Sequence, residues 1–204
     1  MKSFSSKEVI VVILLLLIVS AFLMYILAGN VSDTKIDTFK KNAISFSNIV
    51  SSNSNIFSTE SVVYLQSVID EGFLSSLKSP FSSKDCNASE SKVNLTDGLV
   101  TLKCDNYLLE NYDINDNKAY VYKVSEWGNE KISNGEKKEL YNCYDYNDNS
   151  MISDDYVEKQ YLIYLINKKY GTSYYDIDSI DTSLCELKKD YFYRKKELVK
   201  NMSK

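Results

Sequence analysis

The longest apolar stretch of the chain runs from residue 9 to residue 28 and holds no charged side chain. About 20 helical residues, each rising 1.5 Å, cross the roughly 30 Å hydrocarbon core of a bilayer. The pattern therefore predicts a transmembrane helix at 9–28 behind a short cytoplasmic leader at 1–8. A secretory signal peptide cut after Ala28 or Gly29 is the alternative, although its apolar core normally spans only about 7 to 15 residues.

Apolar residues recur at helical spacing after this stretch, within an otherwise polar segment. They are Ile36, Phe39, Ala43, Phe46, Ile49 and Val50. This spacing predicts that residues 29–56 form an amphipathic helix and a connector, continuing the membrane helix as one rod. The remaining residues, 57–204, are numerous enough for one head domain with its own core.

The head domain shows short helical and strand patterns in turn. Residues 62–69 have helical spacing and precede Gly72, while residues 93–95, 99–104, 119–124 and 140–144 read as strands. Residues 96–98 (TDG) form a turn signal between the first two strands. Two final helices are predicted at about 155–169 and 183–202, the second from the capping-box spacing of Ser183 and Glu186. The predicted fold is α+β, with a long N-terminal helix packed on a small antiparallel sheet and two C-terminal helices.

The composition removes several functional classes. The chain has no histidine, which excludes Ser-His and Cys-His catalytic arrangements and His-ligated zinc. Its formal charge of −4 argues against nucleic acid as a partner. We therefore expect a non-enzymatic protein that requires no cofactor.

Four cysteines, Cys86, Cys104, Cys143 and Cys185, follow the apolar stretch. An even number suits disulfides in an oxidising exterior, and the absence of a C-x-x-C pair disfavours zinc; four buried thiols are the alternative. Of the three possible connectivities we favour Cys86 with Cys104, which bracket a predicted hairpin, and Cys143 with Cys185. The cysteines and the short leader predict a single-pass membrane protein, N-in and C-out, with the head outside the cytoplasm or at the cell surface.

The N-terminal residues carry a resemblance to a known family. Lys2, Ser3, Phe4 and Glu8 precede the apolar stretch, and Glu8 is fifth when counting starts at Phe4. This arrangement resembles the class III signal of type IV pilins and type II secretion pseudopilins, although Ser3 stands where the family has glycine. The resemblance implies cleavage between Ser3 and Phe4 by a prepilin peptidase. It also implies that Glu8 pairs with the terminal amine of a neighbouring subunit during assembly.

Residues 61–81 (SVVYLQSVIDEGFLSSLKSPF) support the same resemblance. A helix ending at glycine, an aromatic-leucine pair (Phe73 and Leu74) and a proline-aromatic pair (Pro80 and Phe81) are similar to the pseudopilin pattern. The resemblance implies a structural subunit of a type IV filament or of a secretion or DNA-uptake pseudopilus, with itself or other pilin-like subunits and the membrane as partners. The alternative is a single-pass surface protein with an extracellular binding head and no filament.

Residues 145–155 resemble part of a calcium loop. Calcium prefers six to eight oxygen ligands, and alternate residues supply them here. The candidate ligands are Asp145, Asn147, Asn149, the Met151 carbonyl, Ser153 and Asp155. The alternative is an Asn/Asp-rich turn that caps the following helix.

Overall fold

The structure, a computed structural model, describes Ile18 and residues 32–202. The chain divides into two compact units, residues 1–37 and residues 38–204. The first unit contributes the start of helix α1 to the described part of the chain, and all the other helices and strands described below belong to the second unit.

Three α-helices, nine strands and one short 3-10 helix make up the described part of the chain. The helices are α1 (Asp33–Ser52), α2 (Leu65–Asp70) and α3 (Lys159–Tyr170), and the 3-10 helix is Ile177–Ser179. The strands are β1 (Val62–Tyr64), β2 (Lys92–Asn94), β3 (Val100–Cys104), β4 (Tyr107–Asp113), β5 (Lys118–Val124), β6 (Glu136–Asp145), β7 (Ser150–Met151), β8 (Cys185–Arg194) and β9 (Lys196–Asn201).

The strands form two antiparallel sheets. The larger has the order β1-β2-β3-β4-β5-β9, and the smaller has the order β7-β6-β8. In the larger sheet Leu102 lies opposite Leu109, which lies opposite Val121. Because side chains alternate between the faces of a sheet, this buried row and the neighbouring row that contains Lys103 point to opposite sides.

Helix α1 buries one face and exposes the other, as its spacing predicts. Phe39, Ala43, Phe46 and Val50 are fully buried. The Phe39 ring meets the Phe81 ring edge to face at 5.1 Å, and Phe81 stacks on Tyr107 of β4 at 4.0 Å. Phe81 therefore lies between the helix and the larger sheet.

Helix α2 ends at a left-handed glycine. Gly72 has φ +76°, and the amides of Gly72 and Phe73 donate to the carbonyls of Ile69 and Val68 at 3.0 and 3.1 Å. This arrangement satisfies carbonyls that a helix end would otherwise leave unpaired, and glycine adopts it at little cost. The chain then returns with the Phe73 ring against the Phe57 ring at 6.2 Å.

A second core forms where α3 packs on β6. Leu162 and Ile166 of α3 are fully buried beside Cys143 of β6. Both predicted disulfides are present, Cys86 with Cys104 and Cys143 with Cys185. The second of them joins β6 to β8 and lies inside this core.

The predicted fold class is wrong. Residues 183–202 form β8 and β9 instead of a helix, so one of the two predicted C-terminal helices does not exist. Ten consecutive residues of β8 pair with β6, and this long-range pairing outweighs the weak helical preference of the segment. In place of a long helix on a small sheet, residues 32–202 contain a 20-residue helix and nine strands in two sheets.

The membrane prediction also needs correction. Helix α1, the longest described helix, carries Asp37, Lys40 and Lys41 among its polar residues. No helix within the described residues is both long enough and apolar enough to cross a membrane, and the stretch at 9–28 lies outside them apart from Ile18. The structure therefore gives no support to the single-pass, N-in and C-out prediction, which is withdrawn.

Candidate functional site

The predicted processing and assembly residues lie outside the described part of the chain. Ser3 and Phe4 at the expected cleavage position, and Glu8 at the expected assembly position, all precede residue 32. Their predicted roles stay predictions.

The predicted calcium ligands begin at the end of β6. The Asp145 side chain is fully buried, and its Oδ1 accepts hydrogen bonds from the amides of Asn147 at 2.7 Å and Asp148 at 3.4 Å. The Lys169 ammonium group of α3 contacts the carboxylates of both Asp145 and Asp148. This contact with Lys169 holds the pKa of Asp145 well below its ordinary value. The ammonium group thus supplies the positive charge that these carboxylates need.

The other candidate ligands lie farther along the β6–β7 hairpin. Asp145 pairs with Ser150 at the end of the hairpin, and Asn147 and Asn149 lie in the turn between these two residues. Asn142, three residues before Asp145, donates to the carbonyls of Ser153 and Asp155 at 2.8 and 3.0 Å. Three strand positions correspond to roughly 10 Å.

The Asn142 side chain thus occupies the Ser153 and Asp155 carbonyls about three strand positions from Asp145. Within the described residues no three His, Cys, Asp or Glu side chains are arranged to hold a metal ion. The Asp145 carboxylate closes a turn through the amides of Asn147 and Asp148, but α3 begins at Lys159 with no side-chain cap, so the alternative of a helix-capping turn is not seen. The calcium ligand set stays a prediction.

Two neighbouring groups of ion pairs join the two sheets instead. One consists of Glu158 with Lys92 and Lys138. The other links the cations Lys103, Arg194 and Lys196 with the anions Glu90, Glu110, Glu126 and Glu136. We call these ten residues the ion-pair network. Lys103 and Leu108 belong to the row of side chains next to the buried row of Leu102 and Leu109, and neighbouring rows point to opposite faces of the larger sheet. Lys103 therefore lies on the face opposite to the one that contacts Phe81.

Glu158, the residue just before α3, connects both sheets. Its carboxylate contacts the ammonium groups of Lys92 on β2 and Lys138 on β6, and it accepts a hydrogen bond from the Tyr64 hydroxyl at 3.3 Å. Burial by itself would raise the pKa of Glu158, but the two lysines outweigh it and lower the pKa to about 2. The carboxylate is therefore ionised throughout the physiological range.

Arg194 at the end of β8 forms the other centre of the network. Its guanidinium donates to Glu136 at 2.7 Å and to Glu90 at 2.8 Å. It also stacks over the Trp127 ring, 4.2 Å from the centroid, and the Trp127 indole donates to Glu90 at 3.3 Å. Such a cation over an aromatic face strengthens an ion pair that is already shielded from water.

Lys103 of β3 is the most deeply buried cation of the network, with 2% of its side chain exposed. Its ammonium group lies 3.3 Å from Glu126 and 3.9 Å from Glu90. A buried charge is costly unless it is paired, so removal of a partner from this part of the network is expected to destabilise the fold strongly.

Two cavities flank the network. One, of about 280 Å³, is lined by Trp127, Tyr156 and Phe192 together with carboxylates. The other, of about 220 Å³, is lined by both signs of charge and includes Arg194. Glu90 and Glu158 line both cavities, so the network forms a wall between them.

The sequence held little signal for this site. Lys103 stands between Leu102 and Cys104 in β3, and these apolar neighbours are the one local signal of its burial. Its partners Glu90 and Glu126 come from different loops, brought together only by the sheets. The chain matches no protein-family model, no curated protein and no solved structure.

Proposed function

We propose that this chain is a non-enzymatic structural subunit of the type IV pilin or pseudopilin kind, which assembles with copies of itself or with other pilin-like subunits. The observation that carries the proposal is the position of Phe81. Its ring contacts Phe39 of α1 on one side and Tyr107 of β4 on the other. A subunit that transmits assembly contacts from a helix to a head needs such a firm connection.

The segment that delivers Phe81 also supports the proposal. Gly72 turns the chain out of α2, and the Cys86–Cys104 disulfide fastens the chain shortly after Phe81. The Asn42 side chain of α1 donates to the Lys78 carbonyl at 2.8 Å. Aromatic contacts and a hydrogen bond therefore tie the helix to the segment at 61–81 that resembles the pseudopilin pattern.

The ion-pair network favours a structural role over catalysis. A general acid or base works best with a pKa near the operating pH. The Glu158 pKa of about 2 is far from that condition, and its carboxylate is already engaged by two lysines. The network is arranged to brace two sheets against each other.

Assembly tests the proposal. The full-length chain is produced together with a prepilin peptidase, and polymer is collected by ultracentrifugation and viewed by electron microscopy. We expect the wild-type chain in the polymer and Glu8→Ala largely in the supernatant, because Glu8 is expected to neutralise the terminal amine of a neighbour. Glu130→Ala, which removes an exposed carboxylate of the head, serves as the matched control and should assemble normally.

Two results would contradict the proposal. One is a wild-type chain that remains monomeric although the peptidase is active on a known pilin in the same cells. The other is a Glu8→Ala chain that assembles as well as Glu130→Ala. A binding head that does not polymerise, the alternative favoured by the 280 Å³ cavity, predicts the first result.

A further inference from the structure

The 280 Å³ cavity beside the ion-pair network has aromatic walls. Trp127 follows β5, Phe192 lies on β8, and Tyr156 precedes α3. The Tyr156 and Phe192 rings are in contact, with centroids 5.1 Å apart. Three rings from separate parts of the chain thus surround one space, a lining that suits alkyl groups and attracts cations to the ring faces.

All the ionisable side chains that line this cavity, apart from the Tyr156 phenol, are carboxylates. They are Glu90, Glu126, Asp155 and Glu158. Glu90 and Glu158 are held by Arg194 and by two lysines, but Asp155 has no ion pair or side-chain hydrogen bond within the described residues. Glu126 pairs with Lys103 and still exposes 78% of its side chain. At the solvent-exposed edge of the cavity, Asp155 and the exposed part of Glu126 therefore present carboxylate oxygens to solvent.

Arg194 pairs with Glu90 but does not reach the exposed carboxylates of Glu126 and Asp155 by any ion pair in the described part of the chain. Its guanidinium stacks on Trp127 and lines the smaller cavity, but it does not line the larger one. The guanidinium is already engaged by Trp127 and by the carboxylates of Glu90 and Glu136. The larger cavity combines aromatic faces with free carboxylate oxygens and has no positive group of its own among the described residues.

We propose that this cavity binds a basic side chain, lysine or arginine, of a partner polypeptide. The alkyl stem lies along Trp127, Tyr156 and Phe192, and the charged end reaches Glu126 and Asp155. Both carboxylates stand at an exposed edge, where a side chain of a docked polypeptide can reach them. Primary ammonium and guanidinium groups are favoured because their N–H groups donate hydrogen bonds to carboxylate oxygens. The inference does not depend on filament assembly.

Trp127 is the only tryptophan of the chain, so its fluorescence reports directly on the cavity. The full-length chain is kept in a non-ionic detergent because residues 9–28 are apolar. The probes are the capped tripeptide acetyl-Gly-Lys-Gly-amide, its arginine analogue and its norleucine analogue, titrated at constant ionic strength. We expect the lysine and arginine peptides to bind at least about fivefold more tightly than the norleucine peptide.

Two neighbouring aspartates provide a matched pair of variants. Asp155→Asn removes a carboxylate that lines the cavity, whereas Asp154→Asn changes an exposed neighbour that does not line it. We expect Asp155→Asn to lower the affinity for the lysine peptide by about fivefold and Asp154→Asn to leave this affinity unchanged. Tyr156→Leu keeps the wall apolar but removes a ring, and it should also weaken binding.

The proposal is overturned if the norleucine peptide binds as well as the lysine peptide. It is also overturned if the Asp155→Asn and Asp154→Asn variants bind the lysine peptide equally. A tighter response to tetramethylammonium than to the lysine peptide would overturn the assignment to a basic side chain, because that ion has no N–H group to donate. Equal melting temperatures of the wild-type chain and the two Asn variants establish that any loss of binding does not come from unfolding.

Discussion

Glu158 links the two sheets through opposite charges, and its removal should expose how much the ion-pair network stabilises the fold. Glu158→Gln retains the size of the side chain and removes only the charge. Lys92 and Lys138 then lose the carboxylate that both contact. Because these groups are largely shielded from water, the loss should exceed that of a surface ion pair.

The magnitude follows from the pKa of Glu158. Burial would raise this pKa, but the two lysines lower it from 4.5 to about 2. A tenfold change in proton affinity corresponds to about 1.4 kcal/mol, so the ionised carboxylate stabilises the folded state by about 3 kcal/mol at neutral pH. We therefore expect Glu158→Gln to lower the free energy of unfolding by about 3 kcal/mol at pH 7.

The pH dependence has a definite sign. A carboxyl group whose pKa falls on folding stabilises the folded state above its unfolded pKa, and this contribution disappears as the pH falls through the folded value. The difference in the free energy of unfolding between wild type and Glu158→Gln should begin to decrease below about pH 4.5. It should be under about 1 kcal/mol near pH 2.5. Urea unfolding followed by Trp127 fluorescence at several pH values measures this difference.

Glu186→Gln is the matched control, since the Glu186 and Lys188 side chains form an exposed pair. Its effect should stay within about 0.5 kcal/mol at every pH. A Glu158→Gln deficit that remains equally large at pH 7 and pH 2.5 would show that packing, not charge, is responsible, and would refute the electrostatic reasoning.

Three further predictions concern the covalent links, the backbone and the hairpin turn. Replacing Cys143 and Cys185 by serine should lower the free energy of unfolding by about 4 kcal/mol, and replacing Cys86 and Cys104 should lower it by about 3 kcal/mol. The first disulfide has the larger effect because it closes a loop of 42 residues, against 18 for the second. A larger decrease for the shorter loop in urea unfolding would argue against the loop-entropy explanation. Gly72→Ala should lower the free energy of unfolding by about 1 kcal/mol because φ is +76°, whereas Gly128→Ala, at an equally open position, should have little effect in calorimetry. Calcium at about 1 mM should leave the melting temperature unchanged, because Lys169 already neutralises Asp145 and Asp148. A rise in melting temperature that Asp145→Ala abolishes would instead support the predicted calcium site.

Local patterns predicted the parts of the fold that depend on neighbouring residues. Strands β3 and β5 lie close to the predicted runs at 99–104 and 119–124. Gly98 has φ +73° in the turn predicted between two strands. The buried face of α1 includes Phe39, Ala43 and Phe46, as their spacing indicated. Both disulfide pairings are confirmed.

Long-range pairing explains what the sequence could not reveal. Residues 183–202 have helical spacing and many Lys and Glu residues, yet β8 pairs with β6 over ten residues, up to the pair of Glu136 with Arg194. The partner strand lies 40 to 58 positions earlier in the chain. No local pattern contains that information, and the pairing outweighs propensity.

The ion-pair network was missed for a similar reason. Each of its residues, taken alone, is typical of a solvated surface. Lys103 becomes buried only because β3 lies inside a six-stranded sheet whose second face is covered. A lysine flanked by apolar residues in a predicted inner strand is the one signal that could have raised the question.

The mature N-terminus provides the most direct test of the pilin-like function. Intact-mass and peptide mass spectrometry of the chain, produced with a prepilin peptidase, identifies the first residue. The pilin-like function predicts that the mature chain begins at Phe4, with cleavage after Ser3 and a methylated amine. A chain that still begins at Met1 or Lys2, or one that begins near Gly29 or Asn30, would contradict it.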